Sequence, residues 1–236
     1  MQPPEALEKA LAVLESIMGP DGFVFAGAVT GRAPEHSRMA RGDAQPRPFG
    51  ATNFAHRGAP DILTVDEAAR SRIIISHVTN VEAAWFASQS RSAPWSDVPI
   101  DADLRDADPK VNAGLYDHAV SLYRHFLDAA PKGIRGTKVH KVLHVKRPAL
   151  FPVMDDRLWS IYRAAAAETA RELANVRPGY ELLYWAAVRN DLLNESNRAT
   201  LAKGRAELAQ HDGIVGQMAG LTDLRLLDII AWRVAA

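Results

Sequence analysis

The sequence predicts an all-α fold, on three observations. Apolar residues recur at helical spacing along most of the chain, and two threonine capping boxes mark the starts of helices. The only strand-like run is Phe23-Val24-Phe25, so at most a small β element is expected, near residues 23–29. With 236 residues, 47% of them hydrophobic, the chain has ample material for a core, and we expect one helical domain over residues 1–236.

The first quarter of the chain contains one predicted helix and one long loop. Residues 4–18 repeat apolar side chains at helical spacing after two prolines, and Gly19-Pro20 ends the pattern. Residues 19–60 are rich in glycine and proline and carry several arginines against few acids. We expect this segment to be a long basic loop, because irregular segments of such length in a compact domain usually serve a function.

The rest of the chain predicts a succession of helices. The capping boxes Thr64-Val-Asp-Glu67 and Thr79-Asn-Val-Glu82 open helices that extend through Ile75 and to about Ser88. An amphipathic helix is predicted over residues 110–129, with one apolar face formed by Val111, Leu115, Leu122 and Phe126. Later helices are predicted near residues 155–174, 180–193, 195–210 and 222–234, with Trp159, Trp185 and Trp232 as core anchors.

Composition limits the classes of function. Basic and acidic residues number 28 each, so any binding of nucleic acid must be local. Cysteine is absent, which excludes disulfides, thiolate metal sites and cysteine nucleophiles. The acidic N-terminus does not resemble a signal peptide and no apolar run approaches 18 residues, so we expect a cytoplasmic protein without membrane contact. The chain has no P-loop, Rossmann fingerprint or GxSxG elbow, and no cofactor is expected. The oligomeric state stays open.

The segment over residues 131–159 carries the most functional information. A glycine turn with Gly133 and Gly136 opens a helix without acids, and between positions 132 and 147 lie six cations, Lys132, Arg135, Lys138, Lys141, Lys146 and Arg147. Backbone N–H groups at a turn and helix start, together with cations, favour a phosphate. The same pattern also fits a solvated helix face beside a buried apolar stripe.

Two other pairs of side chains in this segment have alternative interpretations. His140 and His144 stand four residues apart, a spacing that places two imidazoles on one side of a metal. The intervening residues lack the glutamate of a zinc-protease helix, so contact with phosphate or solvent is the stronger expectation, and no metal site is predicted. Asp155 and Asp156 begin the next helix, where an acid stabilises the positive helix end whatever the function.

The run GIRGTKVHKVLHVKRPALFPVMDDRLW resembles the helix-hairpin-helix segment of the DNA glycosylase superfamily. The similarity is greatest to the oxoguanine-glycosylase branch, through Gly136-Thr137-Lys138-Val139 and the Pro152-Val153 step before Asp155. The chain also resembles an uncharacterised bacterial domain family related to those enzymes, through a block from Lys146 to Asp155 and another from Leu224 to Trp232. These resemblances imply a glycosylase-like bundle of helices.

The resemblance also implies roles for individual residues. The hairpin would bind a DNA phosphate through Gly133 and Gly136, and an acid, Asp155 or Asp156, would stabilise positive charge on the sugar as the base departs. In bifunctional glycosylases a lysine of the hairpin helix forms a Schiff base with the sugar. The glycosylases align Lys138 with this nucleophile, whereas the uncharacterised family aligns Lys141. The hairpin differs in one respect, since Arg135 interrupts its Gly-hydrophobic-Gly core. The implied contacts with DNA involve Lys132, Gly133, Arg135, Gly136, Thr137, Lys146 and Arg147.

Three hypotheses for function follow. The first is a DNA N-glycosylase that excises modified bases, with or without lyase activity. The second is a non-catalytic module that binds the nucleic-acid backbone through the hairpin. The third is a protein-interaction or small-molecule role on the same fold, with the basic loop over residues 30–57 facing a partner.

Overall fold

Nine α-helices and no strand form the regular structure of the described part of the chain, and the all-α prediction is confirmed. The computed structural model describes residues 58–74 and 76–234, together with Lys9, Ala12 and Val13. The predicted β element, the basic loop up to residue 57 and the predicted helix over residues 4–18, apart from those three residues, lie outside the described residues. The helices are α1 (Val65–Arg70), α2 (Asn80–Gln89), α3 (Leu115–Asp128), α4 (Gly136–Lys146), α5 (Asp156–Glu172), α6 (Tyr184–Leu193), α7 (Glu195–Leu208), α8 (Gly213–Gln217) and α9 (Asp223–Val234).

Both threonine capping boxes are present and are confirmed. The Thr64 hydroxyl accepts a hydrogen bond from the Glu67 N–H, and the Glu67 carboxylate accepts one from the Thr64 N–H. Thr79 and Glu82 make the same reciprocal pair at the start of α2. Each box satisfies two N–H groups that a helix start otherwise leaves without a partner, so the local sequence fixes these two boundaries.

Helix α3 begins five residues later than the periodicity predicts. Ala113 has a positive φ of 52° and Gly114 occupies the N-cap position, so the chain turns sharply before Leu115. A carboxylate oxygen of Asp117 accepts a hydrogen bond from the Ala113 N–H and holds this turn. Val111 therefore lies outside the helix and is 53% exposed, whereas the rest of the predicted apolar face packs inward. The prediction that Val111 belongs to that face is wrong.

Helix α4 crosses the interior of the protein. Every residue from Val139 to Lys146 is buried, and the helix packs against α1, α3 and the 3-10 turn at Ser71–Ile74. A helix that is buried on all sides is usually apolar throughout. This one is not, and its polar side chains need partners inside the protein.

The C-terminal helices close the other side of the core. Helix α5 packs along α6, and α9 contacts α5, α6 and α7. The tryptophans predicted as core anchors contribute unequally, because Trp185 is buried while Trp159 and Trp232 are partly buried. The five-residue helix α8 was not predicted from the sequence. In the range that the structure describes, no helix combines the length and apolarity needed to cross a lipid bilayer.

Candidate functional site

The glycine turn before α4 lies at the protein surface. Lys132, Gly133 and Arg135 are exposed, and only Ile134 turns its side chain into the core. Gly133 has φ = 105°, a conformation that favours glycine, so this residue type is required by the shape of the turn. Arg135 takes the N-cap position of α4 without a capping hydrogen bond from its side chain. The turn is therefore accessible to a large ligand.

The six cations predicted as one patch separate into three groups. Lys132 and Arg135 are exposed on the turn, and Lys138 is partly buried in the first turn of α4. Lys141 is buried but has acidic neighbours at the start of α5. The remaining two, Lys146 and Arg147, lie in the interior. A single solvated cationic face, the alternative interpretation of the pattern, is therefore wrong as well.

Lys146 and Arg147 are structural cations. The Lys146 amine donates to a carboxylate oxygen of Glu67 at 2.6 Å and to the Ala59 carbonyl at 3.0 Å. The Arg147 guanidinium donates to the carbonyls of Val98 and Pro60 and to the carboxylate of Asp61, at 2.9 to 3.0 Å. Both cations are fully buried, so the prediction that they contact nucleic acid is wrong. They tie the end of α4 to the segment before α1.

An acid lies beside the turn that the sequence shows as free of acids. The Lys138 amine donates to a carboxylate oxygen of Glu82 at 2.6 Å. A Cβ atom added to Gly133 would lie 3.4 Å from the same oxygen. Burial raises the pKa of Glu82, but hydrogen bonds from Lys138 and from the Thr79 N–H outweigh it and hold that pKa below its ordinary value. Lys138 thus has an intramolecular partner, and Lys132 and Arg135 remain as the exposed cations of the turn.

His140 and His144 face the core and contact neither solvent nor phosphate, which corrects the sequence-based expectation. Nδ1 of His140 is 2.8 Å from the Gly136 carbonyl, and its Nε2 accepts a hydrogen bond from the Trp185 indole at 2.8 Å. Nδ1 of His144 is 2.7 Å from the Phe151 carbonyl. Burial lowers the pKa of His140 to about 4 and that of His144 to about 3, so both imidazoles are neutral at physiological pH.

Of the predicted catalytic residues, Lys141 is under the electrostatic influence of Asp155 and, more weakly, of Asp156. Lys141 is 4% exposed, and burial lowers the pKa of its amine, against the opposing influence of the Asp155 carboxylate and the smaller influence of Asp156. Asp155 is partly exposed and caps α5, since its Oδ1 accepts from the N–H groups of Arg157 and Leu158 at 3.1 and 3.2 Å. Asp155 and the exposed Asp156 lie at the surface at the start of α5, whereas Lys141 is enclosed.

Two residues that the sequence reasoning missed lie behind this pair. Arg225 and Asp228 are buried on α9, with Nη1 and Oδ2 3.9 Å apart. The Asp228 carboxylate also accepts a hydrogen bond from the Val153 N–H at 2.8 Å. Burial raises the pKa of Asp228 to about 7, against the influence of Arg225. The available signal was an Arg and an Asp three residues apart within the apolar pattern of the C-terminal block.

Comparison with known proteins identifies a family but no function. Residues 85–235 match the model of a family of unknown function, DUF6308. No curated protein matches the chain, and no solved structure does. Nothing in these comparisons connects the family with the helix-hairpin-helix glycosylases. The matched range contains α3 to α9, the glycine turn, Lys141, Asp155, Arg225 and Asp228. Because the match covers more than half of the chain, this protein belongs to the DUF6308 family.

Proposed function

We propose that this protein acts on DNA at a damaged or abasic nucleotide, as an N-glycosylase with lyase activity. Lys141 is the nucleophile of this reaction and Asp155 its stabilising carboxylate. The observation that carries the proposal is a nearly buried lysine with a lowered pKa beside a partly exposed carboxylate. Lysines of this kind serve as nucleophiles toward carbonyl carbons, because burial favours the neutral amine that attacks.

The environments of the two candidate lysines favour Lys141 over Lys138. The Lys138 amine donates to the Glu82 carboxylate at 2.6 Å, so it is already held by an acid of the protein. Lys141 lies one turn further along α4, on the side of the start of α5. A nucleophile must be close to the group that stabilises the sugar cation, and Asp155 is near Lys141.

The expected chemistry at an abasic site involves few steps. The neutral Lys141 amine adds to C1′ of the open-chain sugar aldehyde, and loss of water leaves a Schiff base between Nζ and C1′. Asp155 is placed to stabilise positive charge near C1′ as a base departs from an intact nucleotide. Because such a nucleotide must leave the helical stack to reach this site, damaged or unpaired bases are the favoured substrates.

The exposed turn is the proposed contact for the DNA backbone. Its cations, Lys132 and Arg135, are exposed on either side of Gly133, where each can contact a phosphate of the backbone. Backbone contacts of this kind carry no sequence information. We therefore expect affinity that falls with salt and depends little on base sequence.

Borohydride trapping tests the proposal directly. The protein is incubated with a short duplex that carries one abasic site, and hydride reduction of the Schiff base turns it into a stable covalent adduct. We expect an adduct with the wild type and with Lys138→Met, and none with Lys141→Met. The two variants are matched, since each replaces one lysine of the same helix with a side chain of similar volume. Heat-unfolded wild-type protein controls for non-specific capture by surface amines.

Other outcomes have distinct meanings. Loss of the adduct in Lys138→Met alone would make Lys138 the nucleophile, as the alignment with glycosylases implies. Base release from a panel of modified duplexes without any adduct would indicate a glycosylase without lyase activity. Absence of both adduct and base release in the wild type would overturn the proposed activity.

A non-catalytic role in binding the DNA backbone is the second candidate. The observation that favours it is that the exposed cations lie on the turn, whereas Lys141 is almost entirely enclosed. For such a module, Lys132→Ala and Arg135→Ala should each reduce the affinity for DNA equally, whatever the base sequence. Each should also reduce the slope of log affinity against log salt by about one, which corresponds to one lost phosphate contact. If no nucleic acid binds at low salt, a protein-interaction or small-molecule role replaces both candidates.

A further inference from the structure

A carboxylate of the protein lies against the glycine turn, between the turn and the first lysine of α4. The Lys138 amine donates to Oε1 of Glu82 at 2.6 Å, and a Cβ atom added to Gly133 would lie 3.4 Å from the same oxygen. The side chains of Glu82 and Lys138 are 13% and 19% exposed, so this ion pair is largely enclosed. An anionic oxygen thus already occupies one side of the turn.

The start of α4 has further groups that favour an anion. Arg135 takes the N-cap position without a capping hydrogen bond from its side chain. Within the described residues, no group accepts a hydrogen bond from the N–H of Gly136 or of Thr137. Two such N–H groups at the start of an 11-residue helix, with the Lys138 ammonium group in the same turn, form a set of donors suited to a phosphate.

Glu82 is held in this place by a second contact. Its Oε2 accepts from the Thr79 N–H at 2.7 Å in the capping box of α2, while Oε1 binds Lys138. A DNA phosphate carries one negative charge, as the Glu82 carboxylate does. Two such anions beside one ammonium group repel each other, so a phosphate at Lys138 must replace Oε1.

We propose that Lys138 is a third phosphate-binding cation of the turn, and that the Glu82 carboxylate takes the place of the DNA phosphate in the free protein. The phosphate displaces Oε1 from Lys138, while Oε2 keeps its bond to the Thr79 N–H. Glu82 therefore limits the affinity of the turn for DNA. This inference rests on the proposed contact of the turn with DNA, and it names the residue that opposes that contact.

Equilibrium binding of an undamaged DNA duplex tests the inference. Glu82→Gln removes the charge, and a glutamine in this position of a capping box still accepts from the Thr79 N–H. The freed Lys138 should bind one more phosphate, so we expect the affinity at low salt to rise about three- to tenfold. The slope of log affinity against log salt should become steeper by about one, because Lys138 then releases a counterion instead of a carboxylate of the protein.

Two further variants separate this effect from a general change in charge. Glu207→Gln removes the same charge from an exposed position on α7 and should leave both affinity and slope unchanged. Lys138→Met combined with Glu82→Gln should return the slope to the wild-type value, because no additional cation is then available. A Glu82→Gln protein that binds DNA like the wild type overturns the inference, and so does a steeper slope that persists without Lys138.

A measurement on the wild type decides the matter even if Glu82→Gln does not fold. We expect the duplex to shift the NMR resonances of the Gly136 and Thr137 amides and of the Glu82 carboxyl carbon, and unmoved resonances at these three positions overturn the inference. Catalysis is tested separately. Failure of borohydride trapping would remove the proposed activity at Lys141, whereas a gain of affinity in Glu82→Gln would still support a phosphate at Lys138. Trapping without that gain would overturn the role of Glu82 alone.

Discussion

The indole N–H of Trp185 donates a hydrogen bond to Nε2 of His140, at 2.8 Å. Because Nε2 accepts, the ring proton lies on Nδ1, which donates to the Gly136 carbonyl at 2.8 Å. Both nitrogens of the neutral imidazole are thus used inside the protein, and protonation of Nε2 would break the contact with Trp185. His140 links the first turn of α4, next to the exposed glycine turn, to α6.

Acid should begin to destabilise the protein between pH 6 and pH 5, through its two buried histidines. The pKa values of His140 and His144 in the folded protein lie at about 4 and about 3, below the ordinary value of 6.5. Between these values and 6.5, the two histidines together bind about two more protons in the unfolded chain than in the folded protein. Asp228 has the opposite sign, since its pKa of about 7 makes the folded state bind one proton more. The net difference of one proton predicts a loss of about 1.4 kcal/mol per pH unit as pH falls from about 6 to about 5. Urea denaturation at several pH values measures this slope.

Asp228→Asn supplies the control for that prediction. Without Asp228 only the two histidines contribute, so the slope between pH 6 and pH 5 should roughly double. The comparison uses the slope rather than the absolute stability, because the variant also leaves Arg225 without its buried partner. Equal slopes in the two proteins would contradict the raised pKa of Asp228.

Breaking the buried ion pair of Lys146 and Glu67 should be strongly destabilising. Lys146→Met leaves the Glu67 carboxylate buried without its cation, and we expect the free energy of unfolding to fall by about 3–5 kcal/mol. The double variant Lys146→Met/Glu67→Gln should recover most of this loss, because glutamine removes the charge and still accepts from the Thr64 N–H. Lys138→Met is the control for a more exposed pair, with an expected loss of about 1 kcal/mol or less. The measurement is chemical denaturation, and a neutral Lys146→Met would refute the pairing.

The sequence predicted those parts of the fold that depend on neighbours along the chain. The capping boxes at Thr64 and Thr79 involve residues three positions apart, and both were found. The partners of Lys146 and Arg147 lie 79 and 86 residues upstream, so a local run of cations looked like a surface patch. Glu82, which lies beside the glycine turn, was missed for the same reason, because it is 56 residues from Lys138 in the sequence. The spacing of charges along a sequence does not show whether a cation faces solvent or a carboxylate that is distant in the sequence.

The same limit applies to the candidate site. Asp155 was predicted as a helix cap from local pattern alone, and it caps α5. The proposed preference for Lys141 over Lys138 rests on the contact of Lys138 with Glu82, which lies 56 residues away in the sequence and which alignment does not show. Arg225 and Asp228 were quoted only as part of the C-terminal block and received no role, because the Val153 N–H that Asp228 binds is 75 residues away in the sequence.

Gly133→Ala should destabilise the turn that we propose for contact with DNA. The φ of 105° lies in a region that residues with a Cβ rarely adopt, and we expect a loss of about 1–3 kcal/mol. Gly220→Ala is the matched control, because no positive φ is recorded there and an added Cβ meets nothing within 4 Å. Thermal unfolding measures both, and similar stabilities of the two variants would show that the turn does not require glycine.

Gly136→Ala probes the contact between the first residue of α4 and α3. A Cβ at this position would lie 2.6 Å from the hydroxyl oxygen of Tyr123 and 3.9 Å from the adjacent ring carbon. The ring is fixed by edge-to-face packing on Trp185 and by a tilted contact with His140, so it cannot move away freely. We expect Gly136→Ala to lower the free energy of unfolding by about 1–3 kcal/mol, as overpacking does.

Removing the hydroxyl should reverse the sign of that effect. In the Tyr123→Phe background the nearest ring atom lies at ordinary van der Waals distance from the added Cβ. Alanine is then favoured over glycine in the helix by up to about 1 kcal/mol, so Gly136→Ala should become neutral or stabilising. The four proteins form a double-mutant cycle, measured by chemical denaturation, with a coupling free energy of at least about 1 kcal/mol expected. Additive effects would mean that the Tyr123 hydroxyl does not occupy the space above Gly136.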